Sequence, residues 1–219
     1  PAQPPARLQA LVGGLHTHPA VIGYEHSLYG VQIDLTPRGA RSLLGLPACE
    51  LAGVVVDLED VLGAAANELI EALAMASSWV ARLAVLQRAL SRRVGSLETA
   101  GDPIEGAFRE ILSSGGRARI ADVASAVGYS RRQLDVRFSG EFGLTPKQLA
   151  RVVRFERSHR LLRCAPQSSL AVVAAACGYY DQPHMVHEWR SLAGCAPSRW
   201  LAGEELPFIQ DEQGGALPI

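Results

Sequence analysis

Apolar residues at Ile120, Val123, Ala124 and Val127 are spaced i, i+3, i+4 and i+7, and the pattern returns fifty positions later at Leu170, Val173, Ala174 and Cys177. That spacing draws a single apolar stripe along a helix. Each stripe runs into a glycine and a tyrosine, Gly128 with Tyr129 and then Gly178 with Tyr179. Glycine there suits a left-handed helix end, because it carries no Cβ to clash. Ser130 is placed to cap a second helix that carries Leu134 and Phe138 on its inner face. In the later copy one residue, Tyr180, is inserted, after which Asp181 takes the cap and Met185 and Trp189 the inner positions. Pro183 falls in the first turn of that helix, where a missing N–H costs little. Gly143 with Pro146 closes the first copy, and Gly194 with Pro197 closes the second. The pattern predicts two helix-turn-helix units, at about 118–141 and 168–192. Ala124 is expected to be small because two helices crossing steeply through a short turn need a close contact.

The second helix of such a unit enters the major groove of DNA with its N-terminal half toward the bases. Its outward positions are Arg131, Arg132, Gln133, Asp135, Val136 and Arg137 in the first copy, and Gln182, His184, Val186, His187 and Arg190 in the second. Arginine and glutamine can bond guanine and adenine edges with two arms at once, so these types have meaning in a groove. An ordinary helical bundle with solvated arginines would explain one copy, but two copies in matching register favour the DNA-reading form.

Charge supports that division. The net charge of the 219-residue chain is −1, but residues 1–102 carry −3, residues 103–203 carry +6 and residues 204–219 carry −4. The positive balance falls on the repeats, as phosphate binding requires. The four cysteines, Cys49, Cys164, Cys177 and Cys195, have no CxxC spacing, and Cys177 takes the repeat position of Val127, a small core residue. No disulfide framework, zinc site or other cofactor site is read. With no signal peptide and no apolar run of membrane-spanning length, a cytoplasmic protein without a membrane partner is the expectation. The chain opens at Pro1 rather than methionine, so residues upstream are expected to have been removed or to be missing.

The run of Gly128, Tyr129, Ser130, Leu134, Phe138, Gly143, Thr145 and Pro146 resembles the AraC/XylS family of bacterial transcription regulators, as does that of Gly178, Tyr179, Asp181, Gln182, His184, Trp189, Gly194, Pro197, Ser198 and Trp200. The segment 151–162 between them looks like that family's long linker helix. The resemblance covers about residues 103–203, and motif order, spacing and linker length all agree. It implies a mainly α fold with two tandem helix-turn-helix subdomains joined by one helix, entering successive major-groove segments of double-stranded DNA. It leaves room for a small-molecule effector, a homodimer and contact with RNA polymerase. One departure is His187, standing where relatives often carry a basic residue.

The amino-terminal half is less regular. Val31, Ile33 and Leu35 alternate with Gln32 and Asp34, which predicts a half-buried strand ended by Thr36 and Pro37. Residues 54–56 predict a second strand and residues 38–44 a short helix between the two. From about Gly63 the pattern turns helical, through Leu69, Ile70 and Leu73, then Trp79, Leu83, Leu86 and Leu90, with Ser77 or Ser78 as the cap of the later helix. Residues 95–103 read as a hinge before a helix over about 104–112. Residues 1–100 are therefore expected to be a partial α+β regulatory, sensor or dimerisation region, 101–203 the DNA-binding domain and 204–219 an acidic tail. The phrase from Tyr29 to Pro37 resembles sensor regions of the same family.

Three rival readings remain at this level. His16 and His18, with Glu25 and His26 nearby, have the alternation of a metal-binding barrel strand, but Pro19 follows at once and the glutamate spacing is long. An enzyme would need a catalytic signature, and no GxSxG, HExxH, Walker loop or dinucleotide glycine pattern occurs. A helical protein-interaction module that ignores DNA is the third.

Overall fold

The computed structural model describes residues 6–20, 30–93 and 102–202. The proposed acidic tail, Glu25, His26, Tyr29 and most of the proposed hinge fall outside them. Among the described residues helices dominate, with one two-stranded sheet.

The carboxy-terminal region is built from α5 (Pro103–Ser113), α6 (Ile120–Ala126), α7 (Arg131–Phe142), α8 (Pro146–Cys164), α9 (Leu170–Cys177), α10 (Gln182–Ala193) and α11 (Pro197–Leu201). Two separate cores organise it. The first joins Ile104, Phe108 and Ile111 of α5 with Val123 and Ala124 of α6, Leu134, Phe138 and Phe142 of α7, and Leu149 of α8. Phe142 lies 4.6 Å from Phe138 and 4.7 Å from Phe108 between ring centroids, so three aromatic rings fill its centre. The second core sets Leu162 of α8 against Val173, Ala174, Cys177, Tyr179, Met185 and Trp189. Four apolar pairs of the repeat are buried in both copies, Val123 and Val173, Ala124 and Ala174, Leu134 and Met185, Phe138 and Trp189, whereas Ile120 and Leu170 are half-buried and Val127 is half-buried where Cys177 is buried. The single helix α8 supplies side chains to both cores.

The amino-terminal region contains β1 (Leu11–Gly13), α1 (Pro37–Leu44), a 3-10 turn at Ala48–Leu51, β2 (Val55–Asp57), α2 (Leu58–Leu62), α3 (Ala64–Met75) and α4 (Trp79–Arg93). The expected strand near residue 55, the short helix and the helical pair all occur, and Ser78 rather than Ser77 caps α4 by accepting from the Ala81 N–H at 3.2 Å. Two expectations are corrected. Residues 31–35 form no strand, and Val31, Ile33 and Leu35 are 41%, 43% and 37% exposed. Alternation predicts a strand only when an edge is available to pair with, and β2 pairs antiparallel with β1 instead, in the register Val12 to Val56. In α4 the inward face carries Leu86, while Trp79 and Leu83 of the proposed stripe lie exposed, because α4 meets its neighbours through the other side of that stripe.

This region touches the first helix-turn-helix unit directly. Arg41 of α1 donates to both carboxylate oxygens of Glu141 near the end of α7, at 2.7 and 2.9 Å. The 3-10 turn lies over Gly143, the left-handed C-cap of α7, so closely that a Cβ at Gly143 would collide with that of Ala52. Leu15 and Ala48 complete the contact by packing on the first core.

Candidate nucleic-acid interface

Both turns form by the chemistry their sequences supply. Gly128 and Gly178 adopt φ +76° and +80°, and the following tyrosine N–H bonds back to the carbonyl of Ala124 or Ala174 at 2.9 and 3.0 Å. Ser130 then caps α7 by accepting from the Gln133 N–H, and Gln133 closes the box through Oε1, which accepts from the Ser130 N–H at 2.9 Å and its hydroxyl at 2.8 Å. Asp181 caps α10 by accepting from the His184 N–H at 2.7 Å. Tyr179 is buried, and that burial pushes its phenol well above the ordinary tyrosine value. Burial likewise raises the Cys177 thiol, with Arg157 and Arg117 partly opposing the shift, which fits a core residue rather than a nucleophile.

On α7, Arg131, Arg132, Gln133, Val136 and Arg137 are exposed and Asp135 is half-buried. Ser130, Arg132, Gln133, Val136 and Arg137 line one shallow concavity, so the structure brings most of this set together. Two members have other engagements. Gln133 spends its carbonyl oxygen on the cap, leaving only its amide N–H groups to face outward. The Arg137 guanidinium rests 5.2 Å from the centroid of the Tyr129 ring. Arg132 has neither engagement and projects from the first turn.

On α10, Gln182, His187 and Arg190 are exposed, whereas His184 and Val186 are half-buried. His184 is drawn inward. Its Nδ1 accepts from the Tyr180 N–H at 3.3 Å, its Nε2 lies 3.3 Å from Glu188, and its ring meets that of Tyr179 edge to face. Tyr180, the residue inserted in the second copy, is 92% exposed at the mouth of α10 and belongs with the outward set on position alone.

Sequence reading missed the residues behind the second recognition helix. Glu188 is 4% exposed and accepts from Arg151 Nε at 3.2 Å and from Arg154 Nη2 at 3.1 Å. A lone acid on an amphipathic helix reads as solvated. The available signal was its position directly beside the inner Trp189, opposite a linker rich in arginine.

His16 and His18 lie on the loop after β1, and burial lowers the His16 pKa. No cluster of three or more metal-binding side chains occurs among the described residues, and Glu25 and His26 lie outside them. No described helix is long and apolar enough to cross a membrane.

Residues 123–203 match the family model of a helix-turn-helix domain. Solved structures similar to this chain include the DNA-binding domain of AdpA, a global transcriptional factor, in complex with a target DNA. That likeness is at 25% identity with a TM-score of 0.44, over 47% of this chain and 92% of that one. A regulator with an AraC-type DNA-binding domain from Chromobacterium violaceum is 26% identical with a TM-score of 0.42, over 46% and 89% of the two chains. ToxT from Vibrio cholerae is 16% identical with a TM-score of 0.43, over 68% and 59%. No curated protein sequence matches the chain. With two capped units on one linker helix, and a family match running from Val123 through both, the carboxy-terminal region of this chain is a DNA-binding helix-turn-helix domain.

Proposed function

We propose that α7 and α10 enter successive major-groove segments of one DNA site, with α8 holding them in phase. The observation behind this reading is that two capped recognition helices of the same design share one helix as their support. Arg131, Arg132, Gln133, Asp135, Val136 and Arg137 form the first reading set, and Gln182, His184, His187 and Arg190 the second. Arg132 is the leading base reader. Residues 1–100 serve as a regulatory region and 101–203 as the DNA-binding domain. The contact of the 3-10 turn with Gly143 gives a small-molecule effector, or a second copy of the chain, a direct path to the first recognition helix. As a sequence-specific transcription regulator of the AraC/XylS type that the sequence resembles, the chain has RNA polymerase as a further partner.

Footprinting of a single protein molecule should show two protected patches about 34 Å apart on one face of the duplex. One patch alone would reduce the second unit to a structural role. Affinity should also fall steeply with salt, because phosphate contacts release counterions, whereas a pure protein-interaction module would show no such dependence on DNA.

Arg132→Ala should weaken binding to the cognate site by about 1–3 kcal/mol and relax base preference at one or two positions. The measurement is affinity across a panel of single-base variants of the site. Equal weakening on every sequence would make Arg132 a phosphate contact instead.

A further inference from the structure

The two units share more than α8. In the loop after α5, Gly116 adopts φ +72°, and a Cβ there would strike the Ala150 carbonyl, so this loop sits directly on the linker helix. The adjoining Arg117 side chain lies across Gly178, the turn glycine of the second unit, where a Cβ would collide with it. One guanidinium spans the junction. Arg154 Nη1 donates to the Gly116 carbonyl at 2.8 Å, on the first unit, while Nη2 donates to Glu188 Oε1 at 3.1 Å and Oε2 at 3.3 Å, on the second. Arg151 adds a bond from Nε to Glu188 at 3.2 Å and one from Nη2 to the Ser191 hydroxyl at 3.2 Å.

The repeat shows what this acid is for. Phe138 answers to Trp189, so the residue equivalent to Glu188 in the first copy is Arg137, which is exposed. The first unit builds the same turn and the same recognition helix with a solvent-facing base at that position. A helix-turn-helix therefore does not need a buried carboxylate there, and Glu188 answers to something outside its own unit. Charge-assisted bonds of this kind are directional, and a buried ion pair is better suited to fixing one arrangement than to adding net stability.

We propose that Glu188, gripped by Arg154 and Arg151, is a positioning residue that fixes the second recognition helix relative to the first and so sets the spacing between half-sites that the protein accepts. This rests on the reading in which both helices enter one DNA site. The Arg154 bridge converts two tethered readers into one rigid caliper. Neither Glu188 nor Arg154 needs to touch DNA for this.

The test uses the whole chain and a site selected from random DNA, rebuilt with one or two base pairs added or removed between its half-sites. Each inserted pair turns the second half-site by about one tenth of a helical turn, so the wild type should prefer its own spacing by about tenfold or more. Glu188→Gln keeps the shape and removes the charge, while Arg154→Lys keeps the charge and removes the second arm. Both should bind a DNA holding only the first half-site as the wild type does, yet show a flattened spacing preference. Circular dichroism and thermal melting identify a variant that has unfolded, and the other variant then decides. An unchanged spacing profile in a folded variant, with affinity lowered equally at all spacings, would overturn the proposal. A wild type indifferent to spacing would instead overturn the two-helix reading on which it stands.

Discussion

Trp189→Ala should remove about 3–5 kcal/mol of stability, the range for deleting a large buried aromatic side chain. Trp189 has no exposed surface, its Nε1 donates to the Ser158 hydroxyl at 2.8 Å, and its ring lies 4.9 Å from Phe155 and 5.7 Å from Trp200. Ser158 is itself fully buried on α8, so losing the indole also leaves a hydroxyl acceptor without its donor. A domain holds only about 5–15 kcal/mol in total, so the second unit should be largely unfolded near its working temperature. The first unit has its own core, with Phe138 in the equivalent place, and should survive. Hydrogen exchange should therefore lose protection in α9 and α10 while α6 and α7 keep most of theirs. Denaturant titration gives the magnitude, and a loss below about 1.5 kcal/mol would mean that Trp189 is not the centre of that core.

The second large effect concerns the seam between the amino-terminal region and the first unit. Gly143→Ala should cost about 1–2 kcal/mol for its left-handed conformation alone. Gly128→Ala carries the same conformational cost at φ +76°, with open space around it. At Gly143 the new methyl must also push aside Ala52 and the backbone of Cys49. Overpacking of that sort adds about 1–3 kcal/mol, so the Gly143 variant should be clearly the less stable of the two. Introducing Ala52→Gly beside it should recover part of the difference, because the nearest clash is with that methyl. If the two glycine variants cost the same within about 0.5 kcal/mol, the 3-10 turn does not rest on α7 in solution.

What could be read from the sequence was local. The stripes ending in Gly128 and Gly178, the caps at Ser130 and Asp181 and the prolines at 146, 183 and 197 each specify a feature within one helical turn of themselves. Both units therefore emerged nearly whole. The Gln133 side of the capping box was equally local, since glutamine three positions after serine is its signature, yet an outward glutamine was read only as a base contact. Residues 31–35 failed for the opposite reason, because alternation describes a face and says nothing about a partner edge. β1 is three residues long and includes Gly13, too short and too plain to stand out. Glu188 was beyond local reading altogether. Its burial depends on Arg151 and Arg154, which are 37 and 34 positions away along the chain.

The double duty of α8 has a consequence for cutting the molecule. Helices α5, α8 and α11 each begin at a proline and each flank a helix-turn-helix, so the region is an overlapping array rather than two beads on a string. Leu149 belongs to the first core and Leu162 to the second, three and a half helical turns further along. The first core takes Leu149, Ala150 and Val153 from α8 and the second takes Phe155 and Leu162, so a nick between 153 and 155 would leave each core its own side chains but break the one helix that carries both. A minimal reader made from the first unit can therefore end in the middle of α8, but it ends on a helix with no second core to hold it, and it carries an arginine, Arg151, whose partners Glu188 and Ser191 belong to its absent twin.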